Sequence, residues 1–125
     1  MPPRFEQQAP AGTAPVIQGY AAGGFRVSGQ QYAGGVLVTP TRVLEWPVAT
    51  LDDLSANSFA ALGDADVEVI LLGTGAMLRR PLKGVMDAFV AQGFAVELMD
   101  SKAAARTYTM LAGEGRLVAA ALLPL

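Results

Sequence analysis

The stretch Val67–Gly75, VEVILLGTG, decides the fold. Val69-Ile70-Leu71-Leu72 runs apolar without alternation into Gly73-Thr74-Gly75, and a helical pattern starts soon after, at Pro81. An apolar run of this length that stops at glycines reads as a strand buried on both faces, which belongs inside an α/β sheet. A glycine turn between such a strand and a helix is where these sheets commonly receive a ligand.

On the C-terminal side, Pro81–Gln92 predicts an amphipathic helix. Leu82, Val85, Met86, Phe89 and Val90 keep i, i+3, i+4 spacing, and Lys83, Asp87 and Gln92 fall opposite them. Pro81 suits the first helical position and Gly93 the stop. Phe94–Met99 reads as a second strand. Asp100 or Ser101 then caps a helix that runs to about Ala112 and offers Ala104, Tyr108 and Leu111 to a core. Leu117–Leu123 is apolar throughout and is expected to be buried on both faces, with Pro124 as its end. Strand, helix, strand, helix, strand implies a layered α/β sheet with right-handed crossovers, and fits either direction for the last strand.

The N-terminal half has a different texture. Val16–Tyr20 and Phe25–Ser28 flank a turn at Ala21–Gly24; Gly34-Gly35 introduces Val36-Leu37-Val38, and Arg42–Glu45 extends as far as Trp46-Pro47. Pro40 and Pro47 cannot donate to a ladder, so these strands are expected at a sheet edge or in a separate antiparallel layer. Thr50–Asp53 carries helix-start chemistry ahead of a short helix over Leu54–Leu62. Met1–Pro15, with Pro2, Pro3, Glu6, Pro10 and Pro15, reads as a disordered tail over residues 1–15, leaving a single α/β domain over residues 16–125.

Composition narrows the function classes. The chain is 52% hydrophobic and only 16% charged, against a usual charged fraction of about 25%. A skin so poor in charge leaves apolar surface open and predicts a protein partner or a homo-oligomer. Nine basic residues against eleven acidic ones, net −2, give no pull on nucleic acid. The chain has no Cys and no His, which removes thiolate nucleophiles, Ser-His-Asp triads, imidazole bases and zinc sites built on those ligands. No catalytic residue, metal or cofactor is assigned. Asp64, Asp66 and Glu68 alternate, yet they read as a solvated strand start in preference to a metal site. The longest apolar run, Leu117–Leu123, falls well short of the ~20 residues of a membrane-crossing helix. The expected residence is cytoplasmic.

Two places could carry function. Gly73, Thr74 and Gly75, with Arg79, Arg80 and Lys83 nearby, form a candidate anion pocket, since glycine turns can aim N–H groups at one point and cations near a helix start call for a negative partner. The plainer reading, solvated cations with Lys83 answering Asp87 one turn on, carries more weight. A Walker loop would need Gly-Lys-Ser/Thr, and the dinucleotide fingerprint would need glycine where Leu78 stands. Trp46 is a candidate interaction residue, with a lid over the core as the weightier alternative.

Five segments occur together in an order that belongs to a known family: Leu44-Glu45-Trp46, Val67–Gly75, Gly93-Phe94-Ala95-Val96-Glu97, Arg106-Thr107-Tyr108, and EGRLVAAALLP over Glu114–Pro124. From about Ile17 to Pro124 the chain resembles the small family of unknown function whose eukaryotic members include a mitochondrial NADH dehydrogenase (complex I) assembly factor and an adipogenesis-associated protein. The resemblance implies a three-layer α/β sandwich: a mixed central sheet, flanking helices, and an additional antiparallel β layer. It implies no established catalysis. It points to a non-enzymatic protein-interaction domain, an assembly factor for respiratory or other membrane complexes, associated with the membrane only indirectly. Thr109 departs from the asparagine that relatives often carry there. The alternative from the residues is an anionic-ligand binder or an unrecognised enzyme using the glycine turn.

Overall fold

The computed structural model describes residues 6–8, 14–21, 24–63 and 66–125. A six-stranded mixed sheet forms the middle of the molecule, in the order β1-β6-β5-β9-β7-β8, and a three-stranded antiparallel sheet, β2-β3-β4, lies beside it. The strands are β1 Glu6–Gln8, β2 Ile17–Ala21, β3 Gly24–Val27, β4 Gln30–Ala33, β5 Gly35–Val38, β6 Arg42–Trp46, β7 Val69–Gly73, β8 Val96–Met99 and β9 Val118–Leu122, with helices α1 Lys83–Ala91 and α2 Ser101–Gly113. Of the segment read as a tail, Glu6–Gln8 pairs with β6; residues 1–5 and 9–13 lie outside the described residues, as do residues 22–23 of the expected Ala21–Gly24 turn.

β7 is the interior strand that its sequence predicts. It pairs in parallel on both sides, Ile70 with Val96 of β8 and Leu72 with Ala121 of β9. β9 is therefore parallel to β7 and antiparallel to β5, with Val36 opposite Leu122. Alternation then divides the core. Val36, Val38, Val43, Leu71, Ala120 and Leu122 face α2 and the small sheet. Leu37, Leu44, Ile70, Leu72, Ala119 and Ala121 face α1 and the segment over residues 48–62. From β7 to β8 the chain steps outward past α1, and from β8 to β9 it steps back past α2. Steps in opposite directions keep one hand only if the helices lie on opposite faces, as they do.

Three expectations are corrected. β5 and β6 do not join the separate layer: β5 is buried on both faces and belongs to the central sheet. Pro40 sits in the turn between them and Pro47 follows the last residue of β6, so neither proline interrupts the ladder. β4, polar at Gln30 and Gln31, completes the additional layer. Leu54–Leu62 is no α-helix: a 3-10 turn at Leu51–Asp53 precedes it, an irregular stretch follows, and a second 3-10 turn, Ala60–Leu62, ends it. There Ser55 N–H donates to Ser58 Oγ and Asn57 N–H to Ser55 Oγ, local bonds that compete with the helical ladder. Finally, α1 starts at Lys83, and of the predicted apolar stripe only Phe89 is buried. Val85 and Met86 are half-buried, while Leu82 and Val90 stand out at 76% and 68% exposure.

Trp46 is a lid. It is 4% exposed, its ring stacks on Phe59 with centroids 5.9 Å apart, and its Nε1 donates to the Ser58 carbonyl at 2.8 Å.

Candidate functional site

The glycine turn is a junction of four elements. Gly73 ends β7, and Thr74 N–H donates to the Met99 carbonyl at 2.8 Å. Gly75, at φ 105°, donates its N–H to Ser101 Oγ at 2.9 Å and accepts from Ser101 N–H at 2.8 Å. Ser101 Oγ donates onward to the Leu123 carbonyl at 2.7 Å, and Leu123 N–H donates to the Gly73 carbonyl at 2.9 Å. Thr74 Oγ1 donates to the Met77 carbonyl and accepts from Arg79 N–H. The N–H groups of Thr74, Gly75 and Arg79 are thus engaged inside the protein. Glycine is needed at 73 for closeness: a Cβ there would lie 2.8 Å from Ser101 Cα and Oγ.

The helix that meets this turn is α2, whose N-cap Asp100 accepts from Ala103 N–H at 2.8 Å. α1 begins beyond an extended arm over residues 76–82. Gly73, Thr74 and Gly75 are buried, whereas Arg79, Arg80 and Lys83 are exposed on or beyond the arm. Lys83 Nζ pairs with Asp87 at 2.7 Å, as its spacing predicts. The six residues of the candidate anion pocket are therefore neighbours in sequence that divide into a buried fastener and an exposed basic arm. Ser101→Ala should cost about 1–2 kcal/mol in urea denaturation, because it leaves the buried Gly75 N–H and Leu123 carbonyl without that hydroxyl.

The arm opens onto a groove of about 820 Å³ beside α1 and β8, lined by Leu78, Arg79, Arg80, Met86 and the β8 residues Val96, Glu97 and Leu98. Met77, Leu78, Leu82 and Val90, on the arm and α1, are exposed. Leu82, Met86 and Val90 are four residues apart and form one stripe along α1. Leu82 is the N-cap of α1 and makes no side-chain cap bond, in a position where Ser, Thr, Asp or Asn is strongly preferred. Sequence reading assigned Leu82 and Val90 to the core. The signal it missed was an apolar residue standing where a cap belongs.

Elsewhere, Glu68 is held by Arg116 at 2.8 Å, Asp66 is exposed, and Asp64 lies outside the described residues. Among the described residues no group of three acidic side chains gathers as metal ligands, and no helix is long and apolar enough to cross a membrane. Tyr108, on the buried face of α2, has its phenol pushed well above the ordinary value by desolvation and donates to the Pro15 carbonyl at 2.9 Å. A smaller cleft of about 290 Å³ lies between β2 and α2, with Tyr20, Arg106 and Thr109 on its walls. Thr109 Oγ1 bonds back to the Ala105 carbonyl at 3.0 Å.

Residues 17–123 match the family described as protein of unknown function (DUF498/DUF598). The chain belongs to this family. Among its relatives is NADH dehydrogenase (ubiquinone) 1 alpha subcomplex assembly factor 3 of Danio rerio, 37% identical over 122 residues, covering 96% of this chain and 69% of that protein. The Homo sapiens protein of the same name is 33% identical over 119 residues, covering 94% and 65%. The chain spans about two thirds of the length of these curated relatives. A crystal structure of a Bordetella parapertussis protein shares the architecture, with a TM-score of 0.82 and 36% identity over 93% of this chain and all of that one. In this DUF498/DUF598 chain the matched span holds the glycine junction, α1, the arm and β8 together.

Proposed function

We propose that this domain is a non-enzymatic protein-interaction module that serves the assembly of a membrane-bound respiratory complex, acting from the cytoplasm and reaching the membrane only through its partners. The observation that carries the reading is the apolar surface of α1 and the arm. Leu82 occupies a cap position where Ser, Thr, Asp or Asn is preferred and is 76% exposed, and Met77, Leu78 and Val90 are exposed as well. An exposed apolar residue in a position that favours a polar cap supports the reading of this surface as one that meets a partner. Relatives that carry the name of a complex I assembly factor support the same reading. The absence of Cys and His from the sequence adds weight, since it withholds the commonest catalytic side chains.

The test uses a pair of substitutions that spare the fold. Leu82→Ser supplies the missing N-cap oxygen, worth about 0.5–2 kcal/mol in the protein's favour, and Val90→Ser alters an exposed position. The double variant should melt no lower than the parent yet lose most of the protein that co-purifies with the parent from its native host. Equal recovery of partners by parent and variant would count against this surface.

A further inference from the structure

We propose that β8 is an acceptor edge: an extended segment of a partner protein, apolar at alternate positions and acidic at the end beside Arg79 and Arg80, adds to the central sheet there. This rests on the interaction reading above and specifies its mode and partner chemistry. Among the described residues β8 is a terminal strand of the sheet, paired only with β7. In that ladder Ile70 N–H donates to the Ala95 carbonyl and Thr74 N–H to the Met99 carbonyl, so residues 95, 97 and 99 turn their backbone groups toward β7. By alternation, the N–H and C=O groups of Val96 and Leu98 point away from the sheet. The side chains of these same two residues line the groove. Backbone donors and acceptors for an added strand thus stand beside pockets for its alternate side chains, the two requirements of strand addition.

Edges are normally blunted by shortness, charge, Pro or a bulge. β8, Val96-Glu97-Leu98-Met99, is four residues long and carries one charge, the exposed Glu97, but has no Lys or Pro, and its register with β7 is regular from Ile70↔Val96 to Gly73↔Met99. The small sheet differs at both edges: β2 carries a register break between Ile17 and Gly19, and β4 is polar and exposed at Gln30 and Gln31. Charge sets the occupant. The Arg79 and Arg80 side chains face solvent at the groove without an ion pair among the described residues, on a protein whose net charge is −2. The nearby start of α1 has no acidic residue in its first turn, which leaves the helix's positive end uncompensated. A partner segment with carboxylates at this end would meet both.

The full chain, labelled with ¹⁵N, is titrated with a capped peptide of about eight residues alternating valine and threonine and ending in two glutamates. A matched peptide ends in two lysines. Strand addition predicts that the Val96 and Leu98 amides shift and gain exchange protection with the glutamate peptide, which should bind roughly ten-fold more tightly than the lysine one. The Arg79→Glu/Arg80→Glu double variant should reverse the preference. Equal binding of both peptides, shifts confined to other elements, or no response up to the solubility limit would each overturn the proposal. If partners are still lost on Leu82→Ser/Val90→Ser while β8 ignores both peptides, the interaction reading stands and strand addition falls.

Discussion

Phe59→Ala is expected to lower the stability of the domain by about 3–5 kcal/mol, the largest effect of any single truncation considered. Phe59 is fully buried and touches three other rings: Trp46 at 5.9 Å, Phe89 at 4.4 Å and Phe94 at 5.6 Å between centroids. These rings come from β6, α1 and the approach to β8, so one side chain from an irregular segment knits three regular elements together. Ala119 and Ala121 of β9 belong to the same core and are small, which leaves room for the aromatic pair above them. The neighbouring rings are anchored in β6, α1 and the approach to β8 and cannot move into the vacated space together, so most of the cavity should persist. Urea denaturation followed by Trp46, the only tryptophan in the chain, measures the loss directly. A loss below about 1 kcal/mol would mean that the segment over residues 48–62 collapses onto the sheet.

The second large effect is a contrast between two glycines. Gly73→Ala places a methyl 2.8 Å from Ser101 Cα and 3.0 Å from Leu122 Cδ2. Ser101 Cα is backbone at the start of α2, fixed by the bonds of Ser101 to Gly75 and Leu123, so it cannot yield without opening the junction. The cost should be about 3 kcal/mol, the upper part of the range for overpacking. Gly84→Ala makes the same chemical change in α1, where nothing lies within 4 Å of the new methyl. It should stabilise by about 0.5–1 kcal/mol through helix propensity. Thermal melts of the two variants on opposite sides of the parent would establish that the turn glycine serves packing. A Gly73→Ala variant as stable as the parent would restore a conformational or ligand-binding reason for that residue.

How far the sequence carried can be followed residue by residue. β7, β9 and α2 were legible because their signals are local: unbroken apolar runs, an Asp100 cap, and an Ala104 to Tyr108 face. β5 and β6 belong to the central sheet and not to the separate layer, because Pro40 and Pro47, expected to exclude these strands from an interior ladder, both fall just outside it and cost it no hydrogen bond. β4 was missed since Gln30 and Gln31 carry no apolar alternation. The helix expected over Leu54–Leu62 had the right apolar spacing, yet Ser55, Asn57 and Ser58 satisfy the backbone locally.

The site shows the same division. The glycine turn was recognisable as special, but its role depends on Ser101 and Leu123, which meet it only in the folded sheet. Arg79 and Arg80 were singled out for their charge, and they do border a groove. That the groove faces an open strand edge follows from the sheet order, in which β9 and not β8 takes the interior position. The chain does carry a signal for that choice, since Leu117–Leu123 is apolar throughout, as an interior strand requires, whereas Glu97 interrupts β8; the strand order itself is fixed only by the folded sheet.

The placement of the two lysines offers the most direct test of the central claim that α1 and β8 form the working face. Lys83 opens α1 on one side of the central sheet, and Lys102 lies in the first turn of α2 on the other. Amine-reactive crosslinking of the full chain in its native host, with the linked peptides read by mass spectrometry, therefore reports which face meets other proteins. Intermolecular links concentrated at Lys83 are the predicted result. Links found at Lys102, with Lys83 left unlinked, would contradict the account.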